Sequence, residues 1–304
     1  MTNISVTIQI MNEAGYIFSC IDFLSPNEKY RLYMASKSVY EIFDMNNDDL
    51  LYLSKISDVP YDKLKTVRNI SYPKYKKGNS DIKITDIYSD DYPKMLKETY
   101  GAPIVLYHIG DIPKECMVSV VGSRKPGPYG IRCAEVLSVN LSLQGFTVVS
   151  GMAKGIDGIC HMAALRHGNS VAVLGNGLNI CYPSENRYIY DMLIKKGCLI
   201  SEYPPDSKPG KINFPMRNRI ISGLSFCTVV VEAGIKSGSL ITANCALSQN
   251  REVYCFPNYI DTGFNGTNQL IKEGAGIITD IDDFCRELNA IEIHWKTIYY
   301  CKSN

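Results

Sequence analysis

From Met117 onward, short β-branched runs alternate with longer amphipathic stretches, and that alternation restricts the chain to few folds. The runs are "MVSVVG", "FTVVSG", "SVAVLG", "GCLIS", "CTVVVEAG" and "EVYCFP". Each has the length and composition of a strand buried on both faces. Between them, "GIRCAEVLSVNLSLQ", "GIDGICHMAALRHG", "ENRYIYDMLIKKG" and "SLITANCALSQN" read as helices. Parallel neighbours need crossover connections, and the crossovers supply helices that cover both faces. The pattern predicts an α/β fold built on a doubly wound, mostly parallel sheet.

Upstream, residues to about 73 carry helical spacing in "NEKYRLYMASKSVYEIF" and "NNDDLLYLSKI", which predicts a small helical module. "YPKYKKGNSD" (72–81) then suits an exposed linker. The 304 residues, 45% hydrophobic and 21% charged, are enough for a full core without metal or disulfides. The start lacks a basic segment followed by an apolar run, and no stretch approaches about 20 uninterrupted apolar residues, so secretion and membrane insertion are disfavoured. Eleven cysteines without a C-x-x-C suggest buried small hydrophobes in a reducing cytoplasm. Four histidines form no metal-binding spacing, and no cofactor is indicated. A net charge of +1 gives no global basic field, so a polyanionic partner must meet a local cluster.

In such a sheet the ligand site lies beyond the carboxyl ends of the strands. This chain places its glycines there, in "VVGSRKPGPYG", "SGMAKGIDG", "LGNGLN" and "EAGIKSGSLITA". Small residues on one rim let phosphates approach backbone N–H groups. The same loops hold Ser123 and Arg124, Lys154, Lys211 with Arg217 and Arg219, and Ser237 with Ser239. In "FPMRNRIISGLS", Pro215 fits a first helical turn with Phe214 just outside it. The basic cluster at that helix start fits either an anion or structural pairing with carboxylates. Phe214 could stack on a base while Lys211 meets a phosphate, as single-stranded nucleic acid requires, or serve only as a hydrophobic staple.

No G-x-x-x-x-G-K-[ST] is present, and the acid that would hold a dinucleotide ribose is missing where the second strand ends at Ser150-Gly151. No nucleophile elbow or close carboxylate pair stands out, so catalysis has little positive support.

Together, "VVGSRKPGPYG", "SGMAKGIDGICHMAAL", "YPSENR", "FPMRNRIISGLS" and "VVVEAGIKSGSLITA" closely resemble the DprA/Smf family of DNA-processing proteins. The resemblance runs from about Asp81 to Phe284. It implies an extended Rossmann domain that binds and protects single-stranded DNA without known chemistry. It also implies a homodimer that loads a RecA-type recombinase in natural transformation or DNA recombination. On this pattern the DNA-gripping arginine falls on Arg124, and the lysine and stacking aromatic on Lys211 and Phe214. Arg217, Asn218 and Arg219 lie in the same block, with bracing favoured for at least one arginine, and Ser237, Gly238 and Ser239 complete the expected interface. The implied organisation is a helical module over 1–75, weakly similar to a sterile-alpha-motif domain. A DNA-binding domain follows over 76–285, then a short tail over 286–304 without the winged helix of many members.

The main rival is a nucleotide-cleaving phosphoribohydrolase of the related Rossmann-like group, with Glu232 and Arg219 imitating its catalytic pair. Against it, Glu232 precedes the glycine turn instead of following it. A nucleotide-sensing module using the same rim is a third reading.

Overall fold

A computed structural model describes residues 15–36, 39–70, 81–260 and 263–300. The linker expected at 72–81 lies almost wholly outside them. Helix α1 (residues 15–20) is followed by α2 (Pro26–Ser36), α3 (Val39–Asp44), α4 (Asn47–Ser57) and α5 (Tyr61–Arg68). Helix α4 begins in a capping box: Asn46 Oδ1 accepts from Asp48 N and Asp49 N, and Asp49 accepts from Asn46 N. These contacts satisfy N–H groups that the first turn leaves unpaired.

The sheet has nine strands among the described residues, in the order β1-β2-β6-β5-β4-β3-β7-β8-β9. The six sequence-predicted strands are β3 (Met117–Val121), β4 (Thr147–Ser150), β5 (Ser170–Val173), β6 (Cys198–Ser201), β7 (Cys227–Val230) and β8 (Glu252–Cys255). All pair in parallel. Every residue of β3 through β7 is buried, as an apolar strand covered on both faces requires. The sequence reading missed an antiparallel extension, β1 (Lys83–Asp86) against β2 (Val105–Ile109), with β2 joined to β6 through Tyr107↔Ser201. A two-residue strand, β9 (Gly276–Ile277), closes the other edge beside β8.

Helices α7 (Pro128–Leu143) and α8 (Ile156–Ala164) pack on one face, where Leu137, Cys160, Val120 and Val229 share a cluster. Helix α9 (Arg187–Lys196) covers β5 and β6. From β6 the chain crosses by α10 (Asn213–Leu224) to the far side of β3, then continues through α11 (Gly238–Ser248) and α12 (Asn265–Lys272). Strand β3 is therefore flanked by β4 and β7, and the strand order reverses there. That reversal opens a crevice at the carboxyl ends.

The last helix, α13 (Ile281–Tyr300), spans the boundary expected after residue 285 and buries Leu288 in the α7–α8 cluster. Ile17, Leu32 and Leu64 of the first helices share a continuous core with Ile220 and Leu224 of α10 and Val149 of β4. Burying one such side chain stabilises by roughly 1.5–3 kcal/mol. Among the described residues, no helix is long and apolar enough to cross a membrane.

Candidate nucleic-acid interface

Helix α10 begins one residue before Phe214, which corrects the expectation that Phe214 lies outside it. Pro215 still sits in the first turn, where an N–H has no intrahelical acceptor. The inner face of the helix packs on β3, β4 and β5, and the Ile221 carbonyl accepts from Ser119 Oγ of β3 at 2.8 Å. This fixes the end that carries Phe214 over the sheet's carboxyl edge.

An open cleft of about 410 Å³ occupies the strand-order reversal. Arg124, Phe214, Arg217, Asn218 and the Ser237–Ser239 turn all line it. Its walls come from the loop after β3, the loop after β4, the start of α10 and the start of α11. Two loops are locked together by Ile156 N donating to the Ser123 carbonyl at 3.1 Å. Gly155 makes that approach possible: its φ is +78°, and a Cβ there would stand 2.3 Å from Ser123 O. Ser123 Oγ accepts from Lys125 N, leaving Arg124 exposed at the tip.

Arg217 is only 4% exposed. It donates through Nη1 to the carbonyls of Gly151 (2.8 Å) and Val173, and through Nε to Asn218 Oδ1. Asn218 Nδ2 in turn donates to the Gly238 carbonyl at 3.2 Å, tying α10 to α11. Burial pulls the Arg217 guanidinium down to about 10, while the Asp157 carboxylate beside it opposes the fall. At neutral pH it stays charged. Burial pushes the Asp157 carboxyl up, opposed by Arg217 and by N–H donation from Ala153 and Gly151 at 3.3 and 3.2 Å. The cleft thus holds a buried arginine and a buried aspartic acid that influence each other at its base, and an exposed arginine at its lip.

Beneath the β4 loop, His161 Nε2 accepts from Met152 N at 3.2 Å. Nδ1 therefore carries the proton and donates to Ser170 Oγ at 2.7 Å, which donates to the Val148 carbonyl. Burial pushes the imidazole down to about 3, with Arg217 adding to the effect.

At the start of α11, Ser237 Oγ accepts from Ser239 N at 3.3 Å and lies 2.7 Å from Ser239 Oγ. These hydroxyls and the first-turn N–H groups suit phosphate oxygens. Phe214 lies against Gly175, where a Cβ would come within 2.7 Å of its ring, and it stacks on Tyr182.

Four expected residues stand apart from the cleft lining. Ser123 lies behind it as a loop tie, and Lys211 is exposed just before α10. Lys154 is exposed and ion-paired with Glu185. Arg219 donates to Glu202 at 2.6 Å and lines a separate cavity beside Lys29 and Asp22. Glu232, the rival reading's catalytic acid, is buried and accepts from Gly127 N at 2.7 Å and Asn258 Nδ2 at 3.2 Å. Glu232 and Arg219 are thus held by different partners and form no catalytic pair. Residues given no role in the sequence include Tyr182, Asp157 and Glu202, whereas Gly175 belongs to the expected glycine loop "LGNGLN"; "YPSENR" was the one signal near Tyr182.

The fold and cleft define a Rossmann-like protein with an arginine, an aromatic ring and helix-start hydroxyls gathered at its strand-order reversal. The chain belongs to the DNA recombination-mediator protein A family, whose model matches residues 83–289. It is 43% identical over 212 residues to protein Smf of Escherichia coli, covering 68% of this chain and 56% of that protein. It is 42% identical over 207 residues to the DNA processing protein DprA of Bacillus subtilis, covering 66% and 70%. Among solved structures, DNA processing protein A of Streptococcus pneumoniae matches with a TM-score of 0.70 at 32% identity, over 87% of this chain and 98% of that one. The Helicobacter pylori protein, solved for its single-stranded DNA binding mode, matches with a TM-score of 0.64 at 28% identity, over 69% and 96%. The chain spans little more than half the length of the Escherichia coli relative.

Proposed function

We propose that this protein binds and protects single-stranded DNA along the cleft, performs no chemistry on it, and loads a RecA-type recombinase onto the strand. The observation that carries this reading is the convergence of Arg124, Phe214 and the Ser237–Ser239 turn on one open cleft. Arg124 meets a phosphate, Phe214 offers a ring to a base, and the α11 start offers donors to the next phosphate. Lys211, three residues ahead of Phe214, and Lys154 extend the basic path. Arg217 and Asn218 tie the walls together, and Arg219 braces α10 against Glu202. The gripping work belongs to residues 76–285, with residues 1–75 as an attached helical module. The working unit is a cytoplasmic homodimer acting in natural transformation or DNA recombination.

Fluorescence anisotropy with labelled oligonucleotides of increasing length, against free mononucleotides as competitors, tests this reading. A strand-gripping cleft gives affinity that rises with length and falls with salt. Mononucleotides competing as well as oligonucleotides would point instead to a nucleotide sensor. Release of free base from a nucleoside monophosphate would point to the hydrolase. Sedimentation with and without DNA checks the dimer, and recombinase filament assembly on coated strands checks the loading step.

A further inference from the structure

Phe214 is one ring of a pair. Tyr182, in the loop between β5 and α9, stacks on it with ring centroids 5.3 Å apart and planes 29° from parallel. Tyr182 does not line the cleft; it stands outside the rim, yet it keeps 45% of its surface exposed despite the stack. The two rings therefore divide the available faces. Phe214 lines the cleft, and Tyr182 stands outside it with part of its surface open to solvent.

The loop that carries Tyr182 also holds a cation. Glu185, three residues past Tyr182, holds Lys154 of the β4 loop in an ion pair whose side chains are about half exposed. Exposed pairs of this kind add little stability, so a phosphate competes for the ammonium at small cost. A partly exposed aromatic ring on a loop that also holds an exposed cation offers the two groups that take one nucleotide of an unpaired strand.

We propose that Tyr182 is a second base-stacking platform: the strand leaves the cleft at Phe214, places a further nucleobase on the outer face of Tyr182, and sets that nucleotide's phosphate near Lys154. The proposal rests on the reading that Phe214 stacks a base. Stacking tolerates any base, so this position adds length dependence without sequence preference.

The test uses the full chain and oligonucleotides carrying one 5-iododeoxyuridine at successive positions, irradiated and mapped by mass spectrometry. Cross-links to Tyr182 and Phe214 are expected from different positions of the strand. In parallel, Tyr182→Phe keeps binding, whereas Tyr182→Leu, which keeps bulk but loses the aromatic face, weakens long oligonucleotides by roughly fivefold or more. Oligonucleotides short enough to fill only the cleft lose nothing. The proposal is overturned if Tyr182→Leu binds every length as the parent does. Equal losses at every length also overturn it, because Tyr182 would then serve only to prop Phe214. Cross-links at Phe214 without any at Tyr182 overturn it while leaving the cleft assignment standing. Failure at both rings removes the cleft assignment as well.

Discussion

Arg217 Nη1 reaches from α10 to the carbonyl of Gly151, 2.8 Å away in the loop after β4. Gly151 is bare for a steric reason: a Cβ there would stand 2.5 Å from the guanidinium. The arginine with the most enclosed position in the basic block is therefore a strut between two walls of the cleft. The nearby Asp157 carboxyl favours its charged form.

Arg217→Met should consequently behave as a stability mutation first. It leaves the buried carbonyls of Gly151 and Val173 without their guanidinium donor, at about 1–3 kcal/mol for each unsatisfied group. Chemical denaturation measures it. Parent-like stability with lost DNA binding would show instead that Arg217 grips the strand directly.

Arg124→Ala should act the other way, because its side chain is exposed. Thermal stability stays near the parent's, affinity for single-stranded DNA falls, and the slope of log affinity against log salt becomes shallower by about one phosphate contact. A salt titration of binding reads both effects.

The Phe214 ring can be disturbed without touching it. Gly175→Ala places a methyl group within 2.7 Å of the ring and must push it aside. Phe214→Ala removes a stacked base worth about 1–3 kcal/mol, and Gly175→Ala should recover part of that penalty's size while leaving the melting temperature within a few degrees. Unchanged oligonucleotide affinity in Gly175→Ala would show that ring placement does not matter.

Glu232→Gln separates the binding protein from the hydrolase. The carboxylate accepts from Gly127 N and Asn258 Nδ2, and an amide turns one acceptor into a donor facing another donor. Stability should fall by about 1–3 kcal/mol with DNA affinity retained. A nucleosidase assay on the parent should release no base.

His161 gives the fold a pH dependence of defined sign. Its folded pKa is pushed down to about 3, against an ordinary value near 6.5, so the unfolded chain binds the extra proton first. The contribution to stability is complete above about pH 6.5 and is lost progressively as pH falls toward 3. His161→Gln lowers stability at neutral pH and narrows its gap to the parent across that window. Parallel melting curves from pH 7.5 to 4 show the gap closing or staying constant.

The strands from β3 to β8 were legible because all but one of their residues are buried, so their sequences are short β-branched and apolar runs with a few small hydroxyl residues. Strand β1, "KITD", has polar residues in a four-residue edge strand and gave no such signal. The start of α10 was misplaced by two residues because proline is tolerated anywhere in a first turn. Arg217 and Arg219 looked like one basic cluster, but residues two apart on a helix face different ways. One reaches Gly151 and the other Glu202. Residue types announced the cleft; the direction of each guanidinium depended on carbonyls and carboxylates contributed by distant segments.

The apolar cluster that joins Ile17, Leu32 and Leu64 to Ile220 and Leu224 ties the first helices to the helix that carries Phe214. Heat should therefore meet one melting body in the calorimeter, with calorimetric and van't Hoff enthalpies in agreement. Trimming the early helices would uncover Ile220 and Leu224 of α10 and should lower the melting temperature of what remains.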